Sequence, residues 1–545
     1  MNRLFIIYLI LIIPAINVFG QKNRYFVQFK DKKHTSYSLN NPGQFLSDRA
    51  IERRNRFGIE YDSLDLPVSN AYIDSLHKEN IHVFYTSKWL NGAIIQVEEN
   101  VAEALSLKNY VDTVVFAAPG FRLTTSQNTY PFDENPVNVD NSNNLSQANQ
   151  NNLINYNKES IEQRGNGILI AVFDGGFKNV NQITAFDHLY GSNKLIDQFD
   201  FIENEINPYH HNNDHGTKVL SLISAFSPGI YLGLAYDAEI CLYVTEDYPF
   251  SNEYRIEEYY WVIAAERADS VGVDIINSSL GYNTFEDATM DYEITDIGQN
   301  ISISSMGAKI AVEKGIFTVI SAGNSGNSSS WPYTAFPADT DGALTVGAVN
   351  NTGNKSGFSS IGYPEQEYIK PDISTPGSQV VVINSSGNVI TSNGTSFSAP
   401  IATGIAALTL ETFPELTPSQ LKTAFHESGS QAEIPNRLIG YGIPDLMVML
   451  GEVLSIPEEK KSDIFKLYPN PANPGLLKLK VFNENIHPNV EIKVYNNVGG
   501  EIISSALILI NGEGIIDLTG VSPGNYVVIV RTNQGDLTGK VILTD

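Results

Sequence analysis

Ile168-Leu169-Ile170-Ala171-Val172-Phe173-Asp174-Gly175-Gly176 decides the fold. Six apolar residues run without alternation and end on an acid and two glycines. A strand with no polar face is covered on both sides, which is the habit of parallel sheets flanked by helices. Residues 240–244, 273–278 and 316–320 repeat the pattern, and 215–224, 257–270 and 304–314 carry helical apolar spacing between them. Strand and helix alternating over 165–450 predict an α/β domain: a parallel sheet with helices on both faces.

Outward from that domain, the chain's 545 residues suggest three or four domains at roughly 150 residues each. With 42% hydrophobic and 18% charged residues it is globular material. Asp+Glu number 61 against 35 Lys+Arg, a formal charge of −26, which argues against nucleic acid as a partner. The lone cysteine, Cys241, excludes an internal disulfide framework and any CxxC zinc site. Residues 21–125 sum to +1 and 463–545 to −2, so the middle of the chain carries the excess and is marked as a separate unit.

Residues 1–20 read as an export signal: Arg3, an apolar run over 4–18, and Val18 and Gly20 suited to cleavage before Gln21. Residues 21–125 predict a small α+β module. Its strands are 24–29, 82–89, 92–98 and 111–117, its helices 68–79 and 101–108, and the order βαββαβ is ferredoxin-like. An insertion over 31–65 carries Arg49, Arg53, Arg54 and Arg56, expected to be a solvated face, with docking on the acidic domain as the alternative. Residues 126–155 are rich in Asn, Gln, Ser and Pro and predict an exposed linker leading into the start of a mature chain. The main domain is assigned to 156–452 and a second linker to 453–465. Residues 466–545 predict a small all-β sandwich of about seven strands.

Ligands and catalytic groups on open α/β sheets gather at the carboxyl ends of strands. Asp174 stands there. Asp214-His215-Gly216-Thr217 opens one helix, and Gly394-Thr395-Ser396-Phe397-Ser398-Ala399-Pro400 opens another. Together they supply a carboxylate to orient an imidazole, an imidazole to take a proton, and a hydroxyl that needs such a base to become a nucleophile. Ser321-Ala322-Gly323-Asn324 follows another strand, and the Asn324 amide can donate to an oxyanion.

With these four motifs in the order Asp, His, Asn, Ser, residues 155–450 resemble the subtilisin-like serine peptidases, the subtilases. The resemblance implies that Asp174 orients, His215 acts as general base and acid, Ser396 attacks and Asn324 binds the oxyanion. It implies that Ser279, Leu280 and Gly281, within Asn277-Ser278-Ser279-Leu280-Gly281, pair with substrate and line one wall of the S1 pocket, with Ala322 and Gly323 on the other side. Gly175 departs from the Thr or Ser that many members carry there. Residues 21–125 resemble the family's propeptide, an intramolecular chaperone and inhibitor. Leu467-Tyr468-Pro469-Asn470-Pro471-Ala472 and the terminal Gly524-Asn525-Tyr526 resemble the sorting domain of the type IX secretion system of certain Gram-negative bacteria. The implied protein is a secreted or cell-surface serine endopeptidase made as a zymogen, acting on proteins or peptides and engaging outer-membrane export machinery.

The resemblance requires no cofactor; structural calcium is common in the family, and no ligands are assigned here. Zinc on His210, His211, Asp214 and His215 is not expected, since adjacent histidines seldom converge and no HExxH spacing exists. The rival reading is a catalytically silent surface or binding protein on the same scaffold.

Overall fold

The computed structural model describes residues 22–120, 136–158, 161–247, 253–452 and most of 465–544. The expected export signal, residues 126–135 and nearly all of the linker expected over 453–465 lie outside the described residues. The chain divides after Leu450 into two units.

The first unit opens with β1 (Asn23–Phe29), α1 (Asp48–Phe57), α2 (Asn70–Lys78), β2 (Val83–Ser87), β3 (Gly92–Val97), α3 (Glu99–Ser106) and β4 (Val111–Pro119). The strands pair antiparallel in the order β2-β3-β1-β4. This is the expected ferredoxin-like order with α1 as an inserted helix. Ser47 caps α1 through the Ala50 N–H, and Gly58 ends it in the left-handed region at φ 65°.

The α1 arginines are not all a solvated face: Arg56 is exposed, Arg49 half-buried, and the other two lie inside. Arg53 and Arg54 are fully buried, and both reach the Asp269 carboxylate of the neighbouring α/β domain, Arg54 at 2.7 Å. Arg49 pairs with Glu239 at 2.9 Å and with Asp274, and Arg56 donates to the Pro414 carbonyl at 2.9 Å. Carboxylates and carbonyls replace water around Arg53, whereas Arg54 is held through Nη2 alone, by Asp65 and Asp269, and its Nε and Nη1 have no partner.

The α/β domain contains α4 (Ala148–Leu153), β5 (Leu169–Asp174), α5 (Asp187–Gly191), β6 (Leu195–Asp200), α6 (His215–Ser224) and the short hairpin β7 (Phe226–Ser227) and β8 (Tyr231–Leu232). β9 (Glu239–Val244), α7 (Ile256–Val271), β10 (Ile275–Ser278), α8 (Ile303–Glu313), β11 (Phe317–Ser321), β12 (Leu344–Val349) and β13 (Ile373–Pro376) follow. β14 (Val380–Ile383), β15 (Val389–Ser392), α9 (Thr395–Thr412), α10 (Pro418–Glu427) and α11 (Leu446–Glu452) close the series. Seven strands form one sheet in the order β13-β12-β11-β10-β5-β9-β6, and every pairing is parallel. After β5 the chain builds first to one side and later, from β10, to the other. The carboxyl ends of β5 and β10 therefore flank the crevice where such sheets hold their chemistry.

The segment expected to be an exposed linker differs. Val137 bridges to Ile183 and Asp140 to Asn388, and the buried Gln150 accepts the Val381 N–H at 2.8 Å. Polar composition suggested solvent, but the backbone of Val137 and Asp140 bridges to the domain and the Gln150 side chain satisfies Val381 of β14.

The second unit contains β16 (Phe465–Tyr468), β17 (Leu476–Val481), β18 (Asn489–Asn496), β19 (Glu501–Ile508), β20 (Glu513–Asp517), β21 (Gly524–Thr532) and β22 (Gly535–Leu543). They form two antiparallel sheets, β16-β17-β20 and β19-β18-β21-β22. Leu477, Leu479, Val481, Ile492, Val494, Val528 and Val530 make its core, the period-2 faces that the sequence displayed.

Candidate active site

Asp174 ends β5 wholly buried, with the Gly175 N–H donating to its Oδ1 at 2.8 Å. His215 begins α6, its own N–H held by Asn213 Oδ1 at 2.9 Å. The imidazole Nδ1 lies 2.9 Å and 3.0 Å from the two Asp174 oxygens. Gly216 makes this approach sterically possible: a Cβ there would stand 2.5 Å from the Gly176 carbonyl oxygen and 2.9 Å from Asp174 Cβ. Burial lowers the affinity of His215 for a proton, but the adjacent Asp174 charge and hydrogen bond outweigh it, so its pKa sits above the ordinary value.

Ser396 lies in the first turn of α9, after Gly394 at φ 149°, a conformation that favours glycine. Pro400 is four residues on and has no N–H to give the Ser396 carbonyl. Ser279 Oγ donates to that carbonyl instead, at 2.9 Å. In return Ser396 Oγ donates to the Ser279 carbonyl at 3.3 Å. The His215 ring packs 5.5 Å from the ring of Phe397, the residue after Ser396. No hydrogen bond joins Ser396 to His215 in this state, so the hydroxyl must leave Ser279 to reach the base.

Asn324 follows β11. Its Oδ1 accepts from the Thr395 N–H at 2.9 Å and from Thr395 Oγ1 at 3.1 Å. With the oxygen so engaged, Nδ2 is turned to the mouth of α9, where a Cβ on Gly394 would lie 3.7 Å from it. In that first turn the Thr395 N–H is taken by Asn324 and the Phe397 N–H by the Gly394 carbonyl, and the positive end of the helix dipole favours negative charge there.

The expected pocket walls also converge. A Cβ on Gly281 would lie 3.1 Å from Ala335 Cβ, and one on Gly323 3.7 Å from the same atom. The two glycines thus both stand against Ala335. Leu280 and Ala322 are buried beside them. Tyr282 pairs with Phe336 in an antiparallel bridge, fixing the edge of this wall. Ser279 is tied to Ser396 by two hydrogen bonds, and Asn277 bonds both Ser279 Oγ at 3.2 Å and Thr403 of α9 at 2.9 Å.

The four residues considered for zinc separate into different partnerships. His215 faces Asp174, Asp214 pairs with Lys218 at 2.8 Å, and His210 and His211 turn to Asp200. One group near the triad was not anticipated. Glu246, two residues past β9, is half-buried and within the electrostatic reach of Asp174 and His215; loss of water and then Asp174 push it up to about 7. The only sequence signal was its place at the carboxyl end of a buried strand.

Residues 165–442 match the model of the subtilase family of serine peptidases. The chain belongs to the subtilase family. Residues 24–130 match a Peptidase S8 propeptide domain of Bacteroidota, and 466–544 match a secretion system C-terminal sorting domain. This subtilase is therefore a secreted or cell-surface protein. It is 30% identical over 260 residues to Subtilisin NAT of Bacillus subtilis subsp. natto, covering 47% of this chain and 59% of that protein. It is 28% identical to the thermostable alkaline protease of Halalkalibacterium halodurans over 282 residues, 51% of this chain and 66% of that one. The chain spans about three fifths of the length of the Bacillus subtilis relatives it matches. In fold, it superimposes on the epidermin leader peptide processing serine protease of Staphylococcus aureus. The TM-score is 0.53 at 18% identity, over 80% of this chain and 99% of that structure.

Proposed function

We propose that this subtilase is a secreted serine endopeptidase, made as a zymogen and acting on protein or peptide substrates. The observation that carries the reading is the meeting of the Asp174–His215 pair with Ser396 at a helix start, beside the Asn324 amide. Ser396 Oγ attacks the scissile carbonyl and His215 Nε2 takes its proton. Asp174 holds the imidazole by Nδ1 and stabilises the imidazolium that forms. Negative charge developing on the carbonyl oxygen is met by Asn324 Nδ2 and the Ser396 N–H. His215 then gives its proton to the departing amine, and water repeats the cycle on the acyl-enzyme. The substrate backbone pairs with the 279–281 segment that follows β10, and its P1 side chain enters between Gly281 and Gly323.

Residues 24–120 act as the inhibitor and folding template. Phe26 stacks on Tyr259 of α7 at 4.5 Å, and Glu266 accepts the Lys88 and Trp89 N–H groups at 2.8 Å and 3.1 Å. The C-terminal unit addresses the chain to type IX outer-membrane machinery. The test is a comparison of wild type and Ser396→Ala on a peptide substrate and on their own precursor. Wild type should turn over and process itself, and the variant should do neither. Equal turnover would refute the assignment.

A further inference from the structure

Three carboxylates that the reaction does not use converge beside the cleft. Glu246 lies just past β9, Glu253 precedes α7, and Glu257 is in its first turn. Each offers an oxygen, and these oxygens all lie within 4.8 Å of one another. Glu257 is only 4% exposed; one of its oxygens receives a long 3.4 Å bond from the Asp247 N–H, and the other has no partner. Glu253 Oε1 is also buried without a partner. Among the described residues no lysine or arginine pairs with any of the three.

Other buried glutamates of α7 are served differently. Glu258 accepts from Tyr292 at 2.7 Å and from Ser304 Oγ at 2.8 Å, and Glu266 accepts from Ser87, Lys88 and Trp89. A second observation is independent of the three acids. Tyr282 is wholly buried, its hydroxyl has no partner, and the groups it faces electrostatically are Glu246, Glu257, Glu253 and Glu258.

Three carboxylates this close, drawn away from water, cannot all stay ionised without a positive charge among them. The donor set is all oxygen, which suits hard cations and not zinc or copper. Calcium takes oxygens at about 2.3–2.6 Å, so a pair of its ligands stands up to roughly 5 Å apart. The spacing here falls within that limit.

We propose that Glu246, Glu253 and Glu257 form a binding site for a hard divalent cation of the calcium class. The site ties the end of β9 to the start of α7, next to the Ser279–Tyr282 edge of the cleft. Its position, within the field of Asp174 and His215 and behind Tyr282, makes it a brace for the substrate wall.

The experiment uses the full chain carrying Ser396→Ala, so that no self-cleavage intervenes. Terbium is titrated as a calcium substitute, and its tyrosine-sensitised luminescence is read, with calcium as competitor. Saturable luminescence that calcium displaces is expected. Adding Glu257→Gln, or the more accessible Glu253→Gln, should weaken terbium binding at least tenfold, whereas Asp200→Asn in the other acid–histidine cluster should leave it unchanged. Calcium should also raise the melting temperature of the parent and not that of the Glu253→Gln chain, which also controls for folding. Absence of saturable binding, or binding that neither glutamate substitution alters, overturns the proposal. So does a Glu253→Gln active enzyme that loses preference for Lys or Arg side chains when no ion binds, because the acids would then be reading a basic substrate group.

Discussion

Pro400, Ser279 and Ser396 show how one missing N–H fixes the proposed nucleophile in place. The proline frees the Ser396 carbonyl, the Ser279 hydroxyl takes it, and the helix start is fixed against β10. At this scale the account makes two predictions. Asn324→Ala should lower kcat by about 10²–10³-fold with little change in KM, because the amide meets charge only in the transition state. Steady-state kinetics on a short peptide reads it, and a change confined to KM would make Asn324 a binding residue. The second prediction concerns pH. Only neutral His215 can accept the Ser396 proton, and Asp174 raises its pKa. Activity should therefore fall as pH drops through a midpoint above the ordinary imidazole value of about 6.5. Asp174→Asn should move that midpoint down while costing roughly 10⁴-fold in rate. A midpoint at or below 6.5 in the parent enzyme contradicts the assigned pair.

At the level of elements, α1 is the part that most exceeds its expected role. Asp269 of α7 receives Arg53, Arg54 and, at 3.2 Å, Lys88, so one buried carboxylate holds three cations of the N-terminal module. Removing it leaves Arg53 with carbonyl partners only and Arg54 with Asp65 as its one carboxylate, and breaking such a buried pair costs about 3–5 kcal/mol. Asp269→Ala enzyme should be inhibited by separately made segment 21–125 roughly 10²–10⁴-fold more weakly than the parent, with its own turnover kept. Inhibition constants read this, and equal constants would show that the buried network does not hold the module. Sequence reading reached the elements unevenly for physical reasons. β5, β9, β10 and β11 are unbroken apolar runs and were legible. β6 carries Asp197, Gln198 and Asp200 as an edge strand with one face partly wet. β12 holds Thr345 and Gly347, and β13 is four residues ending in proline, so neither displays a strand pattern. The triad motifs were legible because each sits at an element start or end. The burial of Arg53 and Arg54, the use of Ser279 against Ser396 and the approach of Glu246 depend on partners over 100 residues away or on a neighbouring strand, which no local pattern encodes.

For the whole molecule, the division after Leu450 separates chemistry from address. The C-terminal sandwich buries its own apolar faces in its own core. A chain ending near residue 457 should keep its turnover on a small peptide. In a host with the type IX machinery it should accumulate in the periplasm, and fractionation followed by activity assay decides this. Truncated chain found in the medium would separate this tail from export.

The central claim is that Asp174, His215 and Ser396 act as one nucleophilic unit, and covalent labelling tests it most directly. Mature enzyme treated with a fluorophosphonate should take up one equivalent, and peptide mapping should place the adduct on Ser396. Labelling should fall by orders of magnitude in His215→Ala, since the hydroxyl loses its base. An adduct on another residue, or labelling of Ser396 that is indifferent to His215, would contradict the account.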